Sequence, residues 1–345
     1  MRVQLYVPIR NILLELSQLQ GTKGFRMKIV IPGGTGQVGT MLARAFHRDG
    51  HEVVVFGRHV AKSSAWRTER WDPADLSGWP DHLDGANVVV NLAGRSVNCR
   101  YTPENRREIM QSRIESVRAI GQAIARAKRP PRVWLQASTA TIYAHTYGAP
   151  NDESSGVIGG NEANAPDTWR FSIEVATSWE RALDEMQTPK TRKVKLRSAL
   201  TLSTDRGGIF DTLLGLVQRG LGGASGDGRQ YVSWIHETDF IRATYFLIER
   251  DKMDGEVNLA SPNPLPNREF MAELRRAWGT RIGLPAAKWM LEIGAIFMRT
   301  ETELILKSRR VVPGRLLQEG FAFIYASWPD AARDLCARWK EERAR

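Results

Sequence analysis

Gly33-Gly34-Thr35-Gly36-Gln37-Val38-Gly39 is the stretch on which the reading of this chain turns. Before it stands Met27-Lys28-Ile29-Val30-Ile31-Pro32, a short apolar run with the residues of a strand. After it, residues 38–48 carry Met41, Leu42, Ala45 and Phe46 on one side, the spacing of an amphipathic helix. Glycines at G-x-x-G-x-x-G between a strand and a helix meet three geometric needs. Gly33 permits the tight turn, Gly36 lets the backbone approach a pyrophosphate, and Gly39 lets the helix pack close to the sheet. The helix N-terminus adds N–H donors and a partial positive charge. Gly33, Thr35, Gly36, Gln37, Val38 and Gly39 are therefore the candidate phosphate cradle. A tight turn that binds nothing is the structural alternative, and its place at the head of an alternating series favours the cradle.

Strand and helix patterns keep alternating outward from this turn. Residues 53–56 and 87–92 are continuous apolar strands, 106–127 a long helix, and 132–138 another strand. Continuous Val/Ile/Leu runs between helices predict an α/β chain with a Rossmann-type, doubly wound parallel sheet covered on both faces. Glycine-rich loops at 144–166 and 220–229 are candidate lids over a site. After Gly255 the pattern shifts to helices and loops containing Pro262, Pro264 and Pro266, which predicts a smaller, mostly helical lobe over 256–345. Residues 27–255 then form the dinucleotide-binding domain. Residues 1–26 read as an extension, with a short helix from Pro8 to Leu19 and a linker at 21–24.

Composition excludes several classes. The 345 residues are 42% hydrophobic and 25% charged, which is globular rather than disordered composition. No apolar run approaches the ~18 residues a membrane helix needs; the longest, near Ile293–Met298, is flanked by charge. The two cysteines, Cys99 and Cys336, make neither a disulfide framework nor a metal-ligand spacing, so no metal and a reducing, cytoplasmic setting are expected. Lys and Arg exceed Asp and Glu by 49 to 38, a net +11. The densest basic stretch, Arg100 to Arg132, is interleaved with Glu104, Glu108 and Glu115, as on a solvated, ion-paired helix face. No nucleic-acid-reading motif accompanies it.

The end of the second strand selects the dinucleotide. NAD sites usually present a carboxylate there, but this chain has Val55-Phe56-Gly57-Arg58-His59. Arg58 can fork onto a 2′-phosphate, with Lys62 nearby, so NADP (NADPH) is the expected cofactor. Asp72 can accept from the adenine amino group or serve as a turn residue before Pro73. Asn91-Leu92-Ala93-Gly94 ends the fourth strand, where the small residues Ala93 and Gly94 allow close backbone approach to a cofactor.

These stretches, with Ala137-Ser138-Thr139-Ala140-Thr141-Ile142-Tyr143, resemble the extended short-chain dehydrogenase/reductase superfamily. Gln111-Ser112-Arg113-Ile114, Gly222-Gly223 through Gly228-Arg229-Gln230, Ser233-Trp234-Ile235-His236 and Arg309-Arg310-Val311-Val312-Pro313-Gly314-Arg315 sharpen the match. Together they resemble its "epimerase family" branch, whose C-terminal segment is the domain of unknown function 1731. The resemblance implies an NADP-binding, nucleotide-sugar-epimerase-like fold, with nicotinamide over the strand end that begins at Ala137. The wider superfamily uses a Tyr-x-x-x-Lys pair, in which lysine lowers a phenol's pKa for proton exchange, and the resemblance to this branch implies that the pair is absent. None of the seven tyrosines has a lysine four residues later, and Phe171, Ser172, Val175 and Ala176 stand where the pair belongs.

Other groups must then act. Thr139 falls where the superfamily orients its substrate, and His236 has a near-neutral pKa suited to proton transfer. Each has a structural alternative, as a strand-end threonine or a helix cap. Glu174 is a further candidate base. Arg113, Arg197 and Arg229 can bind an anionic substrate or be ion-paired. Two readings follow. One is an NADP-dependent oxidoreductase or epimerase-like enzyme acting on a small molecule, anionic or nucleotide-sugar-like; an oligomer is compatible with it. The other is a catalytically silent NADP(H)-binding redox sensor.

Overall fold

The computed structural model describes residues 26–58, 64–163, 165–286 and 303–344. The expected extension (residues 1–25), Lys62 and the apolar run at 293–298 lie outside the described residues. The alternation runs β1 (Lys28–Pro32), α1 (Gln37–Arg48), β2 (Glu52–Gly57), β3 (Arg67–Arg70), β4 (Val88–Asn91), α2 (Pro103–Arg126), β5 (Val133–Thr139), α3 (Asp167–Asp184) and β6 (Arg192–Ser198). There follow β7 (Leu200–Leu202), α4 (Ile209–Gln218), β8 (Tyr231–Val232), β9 (Trp234–His236), α5 (Glu237–Glu249), β10 (Gly255–Leu259), β11 (Leu265–Pro266) and α6 (Asn267–Trp278). The chain closes with α7 (Glu303–Leu306), α8 (Gly314–Gln318) and α9 (Trp328–Ala344).

Seven strands form one parallel sheet in the order β10-β6-β5-β4-β1-β2-β3. Its central strands are apolar throughout because successive side chains point to opposite faces and both faces are covered. Ile29 and Ile31 join Val53, Val55, Val88 and Val90 beneath Met41, Leu42 and Phe46 of α1. Val30, Val54 and Val89 point the other way, against Val117, Ile120 and Ile124 of α2 and Leu183 of α3. The strand order reverses between β1 and β4, so β1 runs into the glycine turn beside the end of β4. In open α/β sheets this crevice at the strands' C-terminal ends is where ligands bind.

The lobes divide differently from the expected boundary at residue 255. Gly255–Leu259 is the edge strand of the main sheet, in register with Val194–Ser198. Leu202, Phe210, Leu214 and Trp234, expected in the first domain, pack with Phe270, Leu274, Trp328 and Leu335 in a second core. Phe270 and Trp328 stack at 4.0 Å, and Trp328 Nε1 donates to the Phe270 carbonyl. The chain enters the second lobe, returns to the first core with α5 and β10, leaves again, and comes back with Leu316 and Phe321. Apolar patterning reports burial but not which core a residue joins, so the sequence does not show this division.

The glycine-rich loops are fastened rather than free. Asn151 N donates to the Arg310 carbonyl, and Val312 N to that of Asn151. In the other loop, Gly223 and Gly226 donate to Leu284 and Ala286. Among the described residues no helix is long and apolar enough to cross a membrane.

Candidate functional site

At the head of α1, Gly33 has φ +72°, and a Cβ there would lie 2.5 Å from the Ala93 Cα. A Cβ on Gly39 would lie 2.3 Å from the Gly34 Cα, so the helix seats against the turn only through glycine. Gly36 is different. It caps α1 from an extended conformation, and a Cβ there would meet nothing closer than 4.0 Å. Its open side, with exposed Thr35 and half-buried Gln37 and Val38, is space that a ligand's phosphates can occupy without protein in the way. Gln37 Nε2 donates to Ser203 Oγ at 2.8 Å, tying this turn to the segment after β7.

Along the sheet edge, Arg58 is exposed after β2 and has no hydrogen-bond or ion-pair partner among the described residues. Asp72 is exposed and accepts from Ala74 N at 2.9 Å, an Asx-type turn. Asn91 is fully buried and does not face the crevice. Its Nδ2 reaches Gln136 and Ser116, and its Oδ1 accepts from Ala93 N, so it shapes the Ala93–Gly94 backbone instead of touching a ligand. Gly94 lets the Arg113 side chain pass close by, since a Cβ there would lie 3.1 Å from Arg113 Cγ.

Beyond Gly94 lies a cavity of about 110 Å³ whose wall includes Arg113, Thr139, Thr141, Phe171, Ser172 and Trp179. Thr139 ends β5, and its Oγ1 accepts from Thr141 N, which leaves the hydroxyl proton to donate. Half-buried Ala137 precedes it on the strand. Arg113 Nη1 donates to the carbonyls of Arg95 and Ile109, and its guanidinium lies 4.9 Å from the Trp179 ring centre. No carboxylate pairs with it among the described residues, and burial pulls its pKa down to about 10.

The segment 303–309, 130 and more residues away, packs behind this wall and holds Ser172 and Thr141 without lining the cavity itself. Glu303 accepts from Ser172 Oγ at 2.5 Å. Lys307 Nζ donates to the Thr141 carbonyl at 2.8 Å, and Arg309 Nε to Thr141 Oγ1 at 3.0 Å. Burial, with Arg309 beside it, lowers the Lys307 amine to about 8, within reach of proton exchange near neutral pH. The spacing of these residues to Thr141 and Ser172 carries no local signal in the sequence, where Arg309 and Arg310 stand out only as part of a resemblance.

The expected polar groups separate. His236 is fully buried at the N-cap of α5: Nδ1 accepts from Thr238 N, and Nε2 faces Asp334 at 3.0 Å. The ring stacks on Tyr325 and lines neither cavity, so the proton-transfer expectation gives way to a capping role. Arg197 is buried against Glu180, with Nε and Nη2 at 2.8 and 2.7 Å, and Nη1 on the Tyr143 hydroxyl. Ser138 donates to the same carboxylate and Tyr143 to Asn258, which leaves Arg197 no face for a substrate. Glu174 is exposed. Arg229 is exposed over the Tyr147 ring and lines a second cavity, of about 210 Å³, with Tyr231 and Arg268, away from Thr139. No group of three or more His, Cys, Asp or Glu suited to a metal occurs among the described residues.

The model of the NAD dependent epimerase/dehydratase family matches residues 29–164, and that of the domain of unknown function 1731 matches 286–335. The first match spans the glycine turn and β1 to β5, and the second spans α7 and α8 and reaches into α9. The human epimerase family protein SDR39U1 is 29% identical over 314 residues, 90% of this chain and 100% of the relative. A crystal structure of that human protein (isoform 2) with NADPH superposes with a TM-score of 0.78 at 28% identity, covering 90% of this chain and 99% of the other. A nucleoside-diphosphate sugar epimerase from Corynebacterium glutamicum has a TM-score of 0.69 at 25% identity, over 97% of this chain and 66% of that one. Phe171 and Val175, where the superfamily resemblance would put an acid–base pair, pack with Tyr101 and Ile109.

Proposed function

We propose that this chain is an NADPH-dependent oxidoreductase or epimerase-like enzyme acting on a small molecule at Thr139. The observation that carries the reading is the open side of Gly36, linked through Ala93 and Gly94 to the cavity bearing Thr139. The human relative crystallised with NADPH supports the choice of cofactor. Gly33, Thr35, Gly36, Gln37, Val38 and Gly39 hold the phosphates, and Ala93, Gly94 and Ala137 admit the nicotinamide end. Arg58, with Lys62, takes the 2′-phosphate, and Asp72 the adenine. When bound, nicotinamide supplies or accepts a hydride. Thr139 donates its hydroxyl proton to a substrate oxygen and regains one from water, while Lys307, held on the Thr141 carbonyl behind the cavity wall, adds positive charge near the strand end. The setting is cytoplasmic, where Cys99 and Cys336 stay thiols.

The second reading, a silent NADP(H) sensor, is favoured by Phe171 and Val175 at the acid–base positions. Titration of NADPH and NADH tests the cofactor assignment. A forked Arg58–phosphate contact is worth roughly 1.5–3 kcal/mol, so NADPH should bind about ten- to a hundredfold more tightly. Arg58→Ala should remove most of that preference, and equal affinities in the unaltered chain would end the assignment. NADPH oxidation across a panel of small carbonyl compounds then separates enzyme from sensor.

A further inference from the structure

The cavity beside Thr139 is small, and hydroxyl-bearing residues and one cation share its lining with apolar side chains. Its roughly 110 Å³ is less than the ~150 Å³ of a cavity that accepts benzene, and well below the ~300 Å³ from which drug-sized pockets begin. Phe171, Val175 and Trp179 give it apolar walls. Among the described residues its charged lining residue is Arg113, and Arg113 is incompletely satisfied. Nη1 serves two backbone carbonyls, while Nε and Nη2 have no protein acceptor among the described residues. The Trp179 indole N–H beside it also lacks an acceptor. A guanidinium drawn out of water without a counter-charge is unfavourable, and a planar anion delivered by a ligand removes that imbalance with two parallel hydrogen bonds.

We propose that the group this cavity takes is a small carboxylate with a short apolar body, its oxygens held by Nε and Nη2 of Arg113. The proposal rests on the reading that cofactor and substrate meet at Thr139, and it names the substrate class. A nucleotide sugar, the substrate in the name of the Corynebacterium neighbour, is far too large for this cavity. The carboxylate enters beside Gly94, its apolar body lies against Phe171 and Val175, and the reacting carbon is left toward Thr139.

The test uses crotonate and crotonamide, planar isosteres that differ in charge, with UDP-glucose as the nucleotide-sugar probe. Each is titrated into the full chain with and without saturating NADP+, followed by calorimetry and tryptophan fluorescence. Crotonate should bind at least tenfold more tightly than crotonamide. Arg113→Met, which keeps the stem length and removes the charge, should bring crotonate down to the crotonamide level while NADP+ affinity stays within threefold. Crotonate binding no better than crotonamide, including no binding of either, overturns the proposal. So does UDP-glucose binding more tightly than crotonate. A tenfold loss of NADP+ affinity in Arg113→Met overturns it too, because the guanidinium would then serve a cofactor phosphate. If NADP+ fails to bind while the crotonate preference holds in the cofactor-free chain, the cofactor assignment fails and the carboxylate site stands. If the Met variant does not fold, the crotonate-to-crotonamide ratio of the unaltered chain decides.

Discussion

Buried Arg197 and half-buried Arg113 both lie near the end of β5, and their surroundings differ in one respect. Arg197 meets both oxygens of Glu180, and the Tyr143 hydroxyl takes a further N–H. Burial lowers its pKa, but the hydrogen bonds and charge of Glu180 outweigh that and hold it above the ordinary arginine value. Arg113 meets only carbonyls and an aromatic face, and burial leaves its pKa lowered. A paired charge in a dry interior fastens elements together, here β6 to α3. An unpaired one leaves interaction capacity unused, and that capacity is where a ligand gains affinity.

Substitution of both residues should separate them most widely. Arg197→Met leaves Glu180 as an uncompensated buried carboxylate, so chemical denaturation should show a loss of about 3–5 kcal/mol. Arg113→Met strands no charge, and its stability should stay within about 1 kcal/mol of the unaltered chain. Equal losses in the two variants would mean that Arg113 has a structural partner.

A smaller effect, dependent on pH, is expected from Lys307, a buried cation. Its amine titrates at about 8 in the folded chain against an ordinary 10.5. Between those values the unfolded chain holds a proton that the folded chain has released, so the lysine's contribution to stability rises with pH across the window. A shift of this size corresponds to about 3 kcal/mol in full. The stability of the native chain relative to Lys307→Met should therefore increase from pH 8 to pH 10.5 by up to that amount. A flat difference would place the amine in contact with water.

The same contrast governs what could be read from the sequence. The glycine turn was legible because its requirements fall within seven residues between one strand and one helix. The doubly wound sheet followed from apolar runs that answer to burial on two faces. Arg197, Arg113 and His236 were visible as residues but not as roles. Whether a buried cation is satisfied depends on Glu180 on the neighbouring helix, and whether a histidine is a cap or a base depends on Asp334, 98 residues away. Lys307 and Arg309 meet Thr141 across more than 160 residues, a pairing that no local spacing encodes.

The central claim is that the glycine turn and the Thr139 cavity are two ends of one NADP(H) site. A crystal structure of the chain grown with NADP+ tests it most directly. The account predicts pyrophosphate against the Gly36 backbone and nicotinamide C4 at the mouth of the cavity, within about 4 Å of the Thr139 hydroxyl, the near-attack range for reacting groups. Nicotinamide turned away from Thr139, or a cradle that stays empty at saturating NADP+, would contradict it.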